Sequence, residues 1–241
     1  IKYILANVTG PTSRYFSKNH RSFLWIDDVI LVIDDVCSHE DGTFSLLFHP
    51  DGVSRKNGID LSVVNQQAAV DIRPLWPDYL TESDFEHDFP YNLKLKAHQG
   101  PKAKKTDEME TYYSVTYPIK AQSVKFITAI ILKDSPASKN IPQVTRLKGD
   151  DLQGVRIAKG DKITDVYLNT RADGHIMHRN SCTNVNGWDT DAYLLAFSYK
   201  KGTDPAVSKN ILEWFIGYGS YVRNAHESIF DSYTKKYKVI R

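Results

Sequence analysis

Cysteine is nearly missing from this chain: among 241 residues there are two, Cys37 and Cys182. Two thiols cannot build the disulfide framework of a small secreted domain. They read as two independent buried thiols, with one long-range bridge as the alternative. A basic excess is missing as well, since 31 Lys and Arg face 29 Asp and Glu. That balance excludes a binder that grips nucleic acid by charge alone. Long apolar runs are missing too. Runs such as Val29 to Ile33 are far too short to span a bilayer as a helix. No GxxxxGK(S/T) phosphate loop, GxGxxG helix opening, GxSxG elbow, HExxH or CxxC occurs, which disfavours nucleotide enzymes, serine hydrolases and helical zinc proteases. No long window carries a helical stripe, and no internal repeat is found. No catalytic residue is assigned from the sequence.

What is present is β-strand pattern. Arg21–Ile26 and Val29–Val36, joined at Asp27-Asp28, read as a hairpin. The run Val29–Ile33 is apolar without alternation, so it is a central strand covered on both faces. Asp41-Gly42 reads as the next turn and Thr43–His49 as the next strand, with further turns at Asp51-Gly52 and Asn57-Gly58. Strand runs follow at 59–64, 68–72, 91–96, 111–117, 124–132, 152–158, 163–169, 192–199, 211–217, 219–223 and 233–240. Short helical pieces are expected at Ser13–Lys18 and Val207–Trp214. This cadence predicts an all-β protein: a large antiparallel β-sandwich, supersandwich-like, with long loops and little helix. One domain over 1–241 is expected, with 200–241 as a small terminal sheet appended to it. The segment Pro74–Pro90 reads as a long functional loop, and Gly100–Glu110 as a solvated hairpin tip. Ile1 opens on strand-like sequence, so the chain reads as a piece of a longer one, a removed leader being the alternative. Asn7-Val8-Thr9 fits the glycosylation pattern, which is common by chance.

Several side chains could carry chemistry. His49 closes an apolar strand before Pro50, at a rim that a metal or a sugar could reach. His175 and His178, three apart, fall on opposite faces of a strand and read as a polar tip. His39, beside Glu40 and Asp41, reads as solvated. Asp34 and Asp35 end the buried run and need a partner. Arg21 on the preceding strand is the natural one, and a substrate-facing acid is the alternative. His20 and Arg21 could face an anionic ligand. Trp76 and Tyr79 are expected at the surface, where rings can stack on sugars. Trp25, Trp188 and Trp214 are expected in the core.

The stretch from Asn7 to Pro50 resembles the heparinase II/III-like polysaccharide lyases. The resemblance is carried by Asn7-Val8-Thr9, Arg21-Ser22-Phe23-Leu24-Trp25, Val29-Ile30-Leu31-Val32-Ile33-Asp34-Asp35-Val36 and the strand ending at His49. Gly160-Asp161-Lys162-Ile163-Thr164-Asp165 and Trp188-Asp189-Thr190-Asp191-Ala192 are similar to later segments of the same β-domain. The resemblance implies the C-terminal β-sandwich of a secreted or periplasmic lyase. Such a lyase cleaves acidic polysaccharide of the heparin or heparan sulfate, chondroitin or alginate type by β-elimination at a uronic acid. An α/α-toroid, absent from this chain, would supply the catalytic Tyr, so the isolated chain is expected to be inactive. Metal binding is also implied: His49 would hold zinc, and Asn7 stands where the family carries Asp, a better zinc ligand. Substrate binding is assigned to His20, Arg21, Trp76 and Tyr79. The alternative function is a non-catalytic carbohydrate-binding or structural β-sandwich module. No nucleic-acid partner is expected.

Overall fold

The computed structural model describes residues 1–58, 60–66, 68–77, 93–102, 105–149, 151–174, 181–232 and 237–241. The fold is all-β, built from three antiparallel sheets. The chain divides into two compact units, Lys2–Ile141 and Pro142–Arg241, with Ile1 belonging to the second. The Ser- and Pro-containing stretch around residues 134–142 joins them. It looks like any other turn cluster in the sequence, so nothing there signals a boundary against the expected single domain.

The first unit carries β1 (Lys2–Asn7), a helical turn α1 (Thr9–Thr12), β2 (Phe16–Ile26), β3 (Val29–Phe48), β4 (Val53–Asn57), β5 (Asp60–Asn65), β6 (Ala68–Trp76), β7 (Lys94–Lys102) and β8 (Lys105–Lys133). They form one eight-stranded sheet in the order β1-β2-β3-β8-β6-β5-β4, with β7 on the free side of β8. The β2–β3 hairpin closes at Ile26↔Val29, and Asp27 takes the left-handed conformation that a tight turn demands. Val29, Leu31 and Ile33 on one face of β3 and Val32 on the other are all buried, as a strand apolar on both faces requires.

The expected turn at Asp41-Gly42 does not form. β3 runs through it, and the two runs 111–117 and 124–132 likewise merge into β8. The pairing Cys37↔Ser123 is followed by Gly42↔Ala121 and then Phe44↔Tyr117. The extra residues are absorbed as bulges, first on β3 and then on β8, because the flanking runs share a single neighbour on both sides of the break. Bulges bend and twist a ladder. Here the bend folds the sheet over its own inner face. Val36, Val124 and Phe126 from one side of the break pack in one core with Phe44, Leu46, Tyr113 and Val115 from the other. Leu61, Val63, Ile72 and Leu95 of β5, β6 and β7 complete that core.

The second unit contains β9 (Gln143–Gly149), β10 (Leu152–Lys159), β11 (Lys162–Asn169), β12 (Thr183–Val185), β13 (Trp188–Thr190), β14 (Leu194–Lys200), β15 (Ile211–Gly217), β16 (Tyr221–Arg223), β17 (Ser228–Asp231) and β18 (Tyr237–Ile240). A six-stranded sheet, β18-β15-β14-β11-β10-β9, and a four-stranded one, β12-β13-β16-β17, share a core around Trp188, Phe197, Trp214 and Val222. The expected appended sheet over 200–241 is therefore not separate: β15 and β18 belong to the larger sheet, β16 and β17 to the smaller. The helix expected over Val207–Trp214 shrinks to a 3-10 turn at Ser208–Asn210, because Ile211 onward pairs with β14 and β18. Ser13–Lys18 likewise gives way to α1 and the start of β2. In both places strand pairing outweighs local propensity.

Both cysteines are free, as read, but neither is buried: Cys37 is half-buried and Cys182 exposed. Trp188 and Trp214 are core residues, with ring centroids 5.1 Å apart in a T-shaped contact. Trp25 is not. It is 44% exposed, because strand alternation turns it away from buried Leu24 and Ile26, and its Nε1 donates to the Asp27 carbonyl at 2.7 Å.

Phe197 is fully buried between Trp214 at 5.2 Å, Tyr167 at 5.9 Å and Tyr199 at 6.1 Å. Phe197→Ala should lower stability by ~3–5 kcal/mol. Urea unfolding followed by near-ultraviolet circular dichroism checks it, and a loss below about 1 kcal/mol would contradict this packing.

Candidate functional site

Inside the bend of the first unit lies a pocket of about 490 Å3, lined by Tyr15 and by segments of β2, β3 and β8. Its floor is apolar, from Val36, Phe44, Leu46 and Phe126. Its polar lining includes Asn19, Arg21, Asp34 and Glu40. Its size falls within the range of small-molecule sites.

Local sequence positions these groups. Asn7 at the end of β1 accepts the Thr9 N–H through Oδ1 at 3.0 Å, and Thr9 Oγ1 accepts the Asn19 N–H at 2.9 Å. Asn19 Nδ2 donates to Thr12 Oγ1 at 3.2 Å, which ties the α1 turn to β2. The bulged part of β3 holds the next segment. The His39 backbone N–H donates to the Tyr15 carbonyl at 3.1 Å, and its Nε2 lies 2.9 Å from the Ser13 carbonyl. His39 thus fixes the loop that presents Tyr15. Tyr15 is 62% exposed, with the Arg14 guanidinium 5.5 Å from its ring centroid.

Arg21 and Asp34 face each other across β2 and β3. Arg21 Nε donates to Asp34 Oδ1 at 2.6 Å, so the expected ion pair exists. The Arg21 side chain is 45% exposed and the Asp34 side chain 4%. Asp34 Oδ2 is buried and has no hydrogen-bond partner among the described residues. One residue on, Asp35 points to the opposite face of the sheet. There its Oδ2 accepts from Lys18 Nζ at 2.6 Å and Lys125 Nζ at 2.8 Å.

The two neighbouring carboxyls are perturbed in opposite directions. Burial pushes Asp34 above the ordinary range, and the single Arg21 contact only partly offsets it. Burial also pushes Asp35 upward, but Lys125 and Lys18 together outweigh it and hold that carboxyl below the ordinary range. The signs for stability therefore differ. The contribution of Asp35 is present above its unfolded pKa and is lost as pH falls through its depressed folded value. The contribution of Asp34 is present below its unfolded pKa and is lost as pH rises through its raised one.

Of the residues assigned from sequence, Arg21 lies in the pocket. His20 is buried on the other face of β2, paired in register with Asn7 and Asp35. Trp76 is corrected: it is 6% exposed rather than at the surface, because it ends β6 against Ile127 of β8. Tyr79 and most of the expected functional loop lie outside the described residues, as do His175 and His178. Tyr15, Asn19 and Glu40 were missed. Only the fold over the bulges brings them together.

Asn7 and His49 each have a local partner. Asn7 is engaged at Thr9, at the β1 end of the sheet. His49 lies beyond the bend, with Nδ1 3.3 Å from Glu110 Oε1 and its ring stacked on Tyr112 at 5.1 Å. Tyr112 stacks on its other side against His98 at 4.9 Å. No group of three His, Cys, Asp or Glu side chains able to hold a metal occurs among the described residues. Asn7 and His49 alone would not complete a tetrahedral zinc site.

No family model and no curated protein matches this chain. The segments that resemble the lyase β-domain hold structural places here. Gly160-Asp161 turns the β10–β11 hairpin, and Asp165 is fully buried against Arg156 Nε at 2.7 Å and Tyr199 Oη at 2.8 Å. Trp188 is core. Asp191 accepts the Ser220 and Tyr221 N–H groups at 2.7 and 3.2 Å.

Carbon-detected NMR titration of the side-chain carboxyls should show Asp35 ionising at lower pH than Asp34. Equal or reversed midpoints would refute the opposite environments assigned to them.

Proposed function

We propose that this chain is a carbohydrate-binding β-sandwich module whose ligand seats in the pocket of the first unit. One observation carries this reading: an exposed aromatic residue, Tyr15, and a pre-set Arg21–Asp34 pair line the same pocket. A sugar ring offers an apolar C–H face and a rim of hydroxyls. A tyrosine face and paired charged hydrogen-bonding groups are its complement. Arg21 is held through Nε, which orients the guanidinium before any ligand arrives, and such pre-organisation lowers the cost of binding.

A second reading follows from the resemblance: the module is the β-wall of a lyase acting on uronic-acid polysaccharide, with an α/α-toroid supplying the base and acid. Arg21 favours it. Its two terminal nitrogens have no partner in any hydrogen bond described, and a guanidinium in that state can neutralise a uronate carboxylate. Elimination also requires a base and an acid within reach of the substrate, and the pocket lining contains no His.

Glycan-array screening followed by calorimetric titration tests the first reading. Tyr15→Ala should weaken binding of any glycan hit about 3- to 10-fold, as expected for ~1 kcal/mol of ring contact. Unchanged affinity would remove the pocket as the site. The isolated chain should release no unsaturated uronide from heparin, chondroitin or alginate. Product formation by it would place the chemistry in these residues.

A further inference from the structure

The arrangement of charge in the pocket specifies its ligand more narrowly. We infer that the Arg21–Asp34 pair takes the vicinal diol of a neutral sugar, not the carboxylate of a uronic acid; this rests on the carbohydrate-binding reading above.

The argument starts from donors and acceptors. Asp34 lines the pocket, is 3% exposed, and keeps Oδ2 without a hydrogen-bond partner among the described residues. A buried carboxylate oxygen left in that state is costly, and a ligand hydrogen-bond donor relieves the cost. The charged groups lining the pocket are Asp34, Glu40 and Arg21. With both carboxyls ionised, the pocket carries one more negative than positive charge. A uronate carboxylate has only acceptor oxygens at neutral pH. It could pair with the Arg21 terminal nitrogens, but it would leave Asp34 Oδ2 unserved and add a third negative charge to the site. A hydroxyl both donates and accepts. Two hydroxyls on adjacent ring carbons can satisfy the pair together. One donates to Asp34 Oδ2, and its neighbour accepts from the Arg21 guanidinium. The Tyr15 ring is then free to take the C–H face of the same sugar.

Burial raises the Asp34 pKa, and the charge of a bound ligand acts on the same carboxyl. Introducing a uronate would raise it further and favour protonation of Asp34, whereas a hydroxyl donor favours the ionised form.

Matched pairs of sugars that differ only in oxidation at C6 provide the test: glucose against glucuronate, galactose against galacturonate, and mannose against mannuronate. Each is titrated into the 15N-labelled chain at pH 7 while the Arg21 Nε–H and the Tyr15 and Asn19 amide signals are followed by NMR. The expected result is shifts at these signals for at least one neutral sugar, with its uronate at least fivefold weaker. Glu40→Gln should narrow that preference by at least twofold; Glu40 is exposed, so this change leaves the fold intact. Asp34→Asn, checked for folding by circular dichroism, should weaken the neutral sugar and reduce the preference further. A uronate that binds as tightly as its neutral partner, or more tightly, overturns this inference and leaves the carbohydrate reading standing. An unchanged preference in Glu40→Gln also counts against it. No shift at these signals with any of the six sugars overturns both.

Discussion

The pairing of β3 with β8 is the constraint on which the first unit depends. Each is long enough to belong to both layers, and the ladder between them persists from Val29↔Ile131 to Phe48↔Tyr113. The break near Gly42 is where the ladder turns. Without the surplus residues there, the two apolar inner faces would lie side by side in a flat sheet and face water. With them, Phe44 and Leu46 return over Val36 and Phe126 in one core, and the burial of apolar surface holds the bend closed. The pocket is the space left on the inside of that turn. Its site is therefore a product of where the sheet bends rather than of any one motif.

The same strand shows how a sheet sorts chemistry between its faces. Asp34 and Asp35 are neighbours in sequence and lie on opposite faces of the sheet. Asp35 is satisfied by two lysines, Lys18 and Lys125. Asp34 receives one hydrogen bond from Arg21 and keeps Oδ2 without a partner among the described residues. One of the two carboxylates is fully matched by cations and has a structural role. The other is under-matched and keeps a residual demand for a hydrogen-bond donor.

Much of this was legible in the sequence where contacts are local. The Asp27-Asp28 hairpin, the doubly covered run after it and the Arg21–Asp34 pair follow from apolar patterning and turn chemistry within about twenty residues of chain. What was hidden depends on partners distant in sequence. Asp41-Gly42 has the composition of a turn, and only the continuous neighbour β8 makes it a bulge. Trp76 is buried because Ile127 of β8 lies alongside it, whereas strand alternation turns Trp25 outward. His39 reads as a solvated turn residue, yet it fixes the loop that presents Tyr15. The pocket joins Tyr15 to Phe126, a juxtaposition that no spacing pattern encodes.

The length of chain between paired strands also sets the order in which this unit can assemble. β2 and β3 close on a two-residue turn and can meet early. The other side of β3 pairs with residues about 65 to 100 positions further along, and such closure is slow because its loop entropy must be overcome before any contact rewards it. On a ribosome, which adds residues at ~5–20 per second, the apolar edge of β3 waits several seconds for β8 to emerge. During that interval it is an unpaired, hydrophobic strand of the kind that recruits neighbouring chains. The ribbon that makes the folded unit is thus also its point of greatest exposure while the protein is being made.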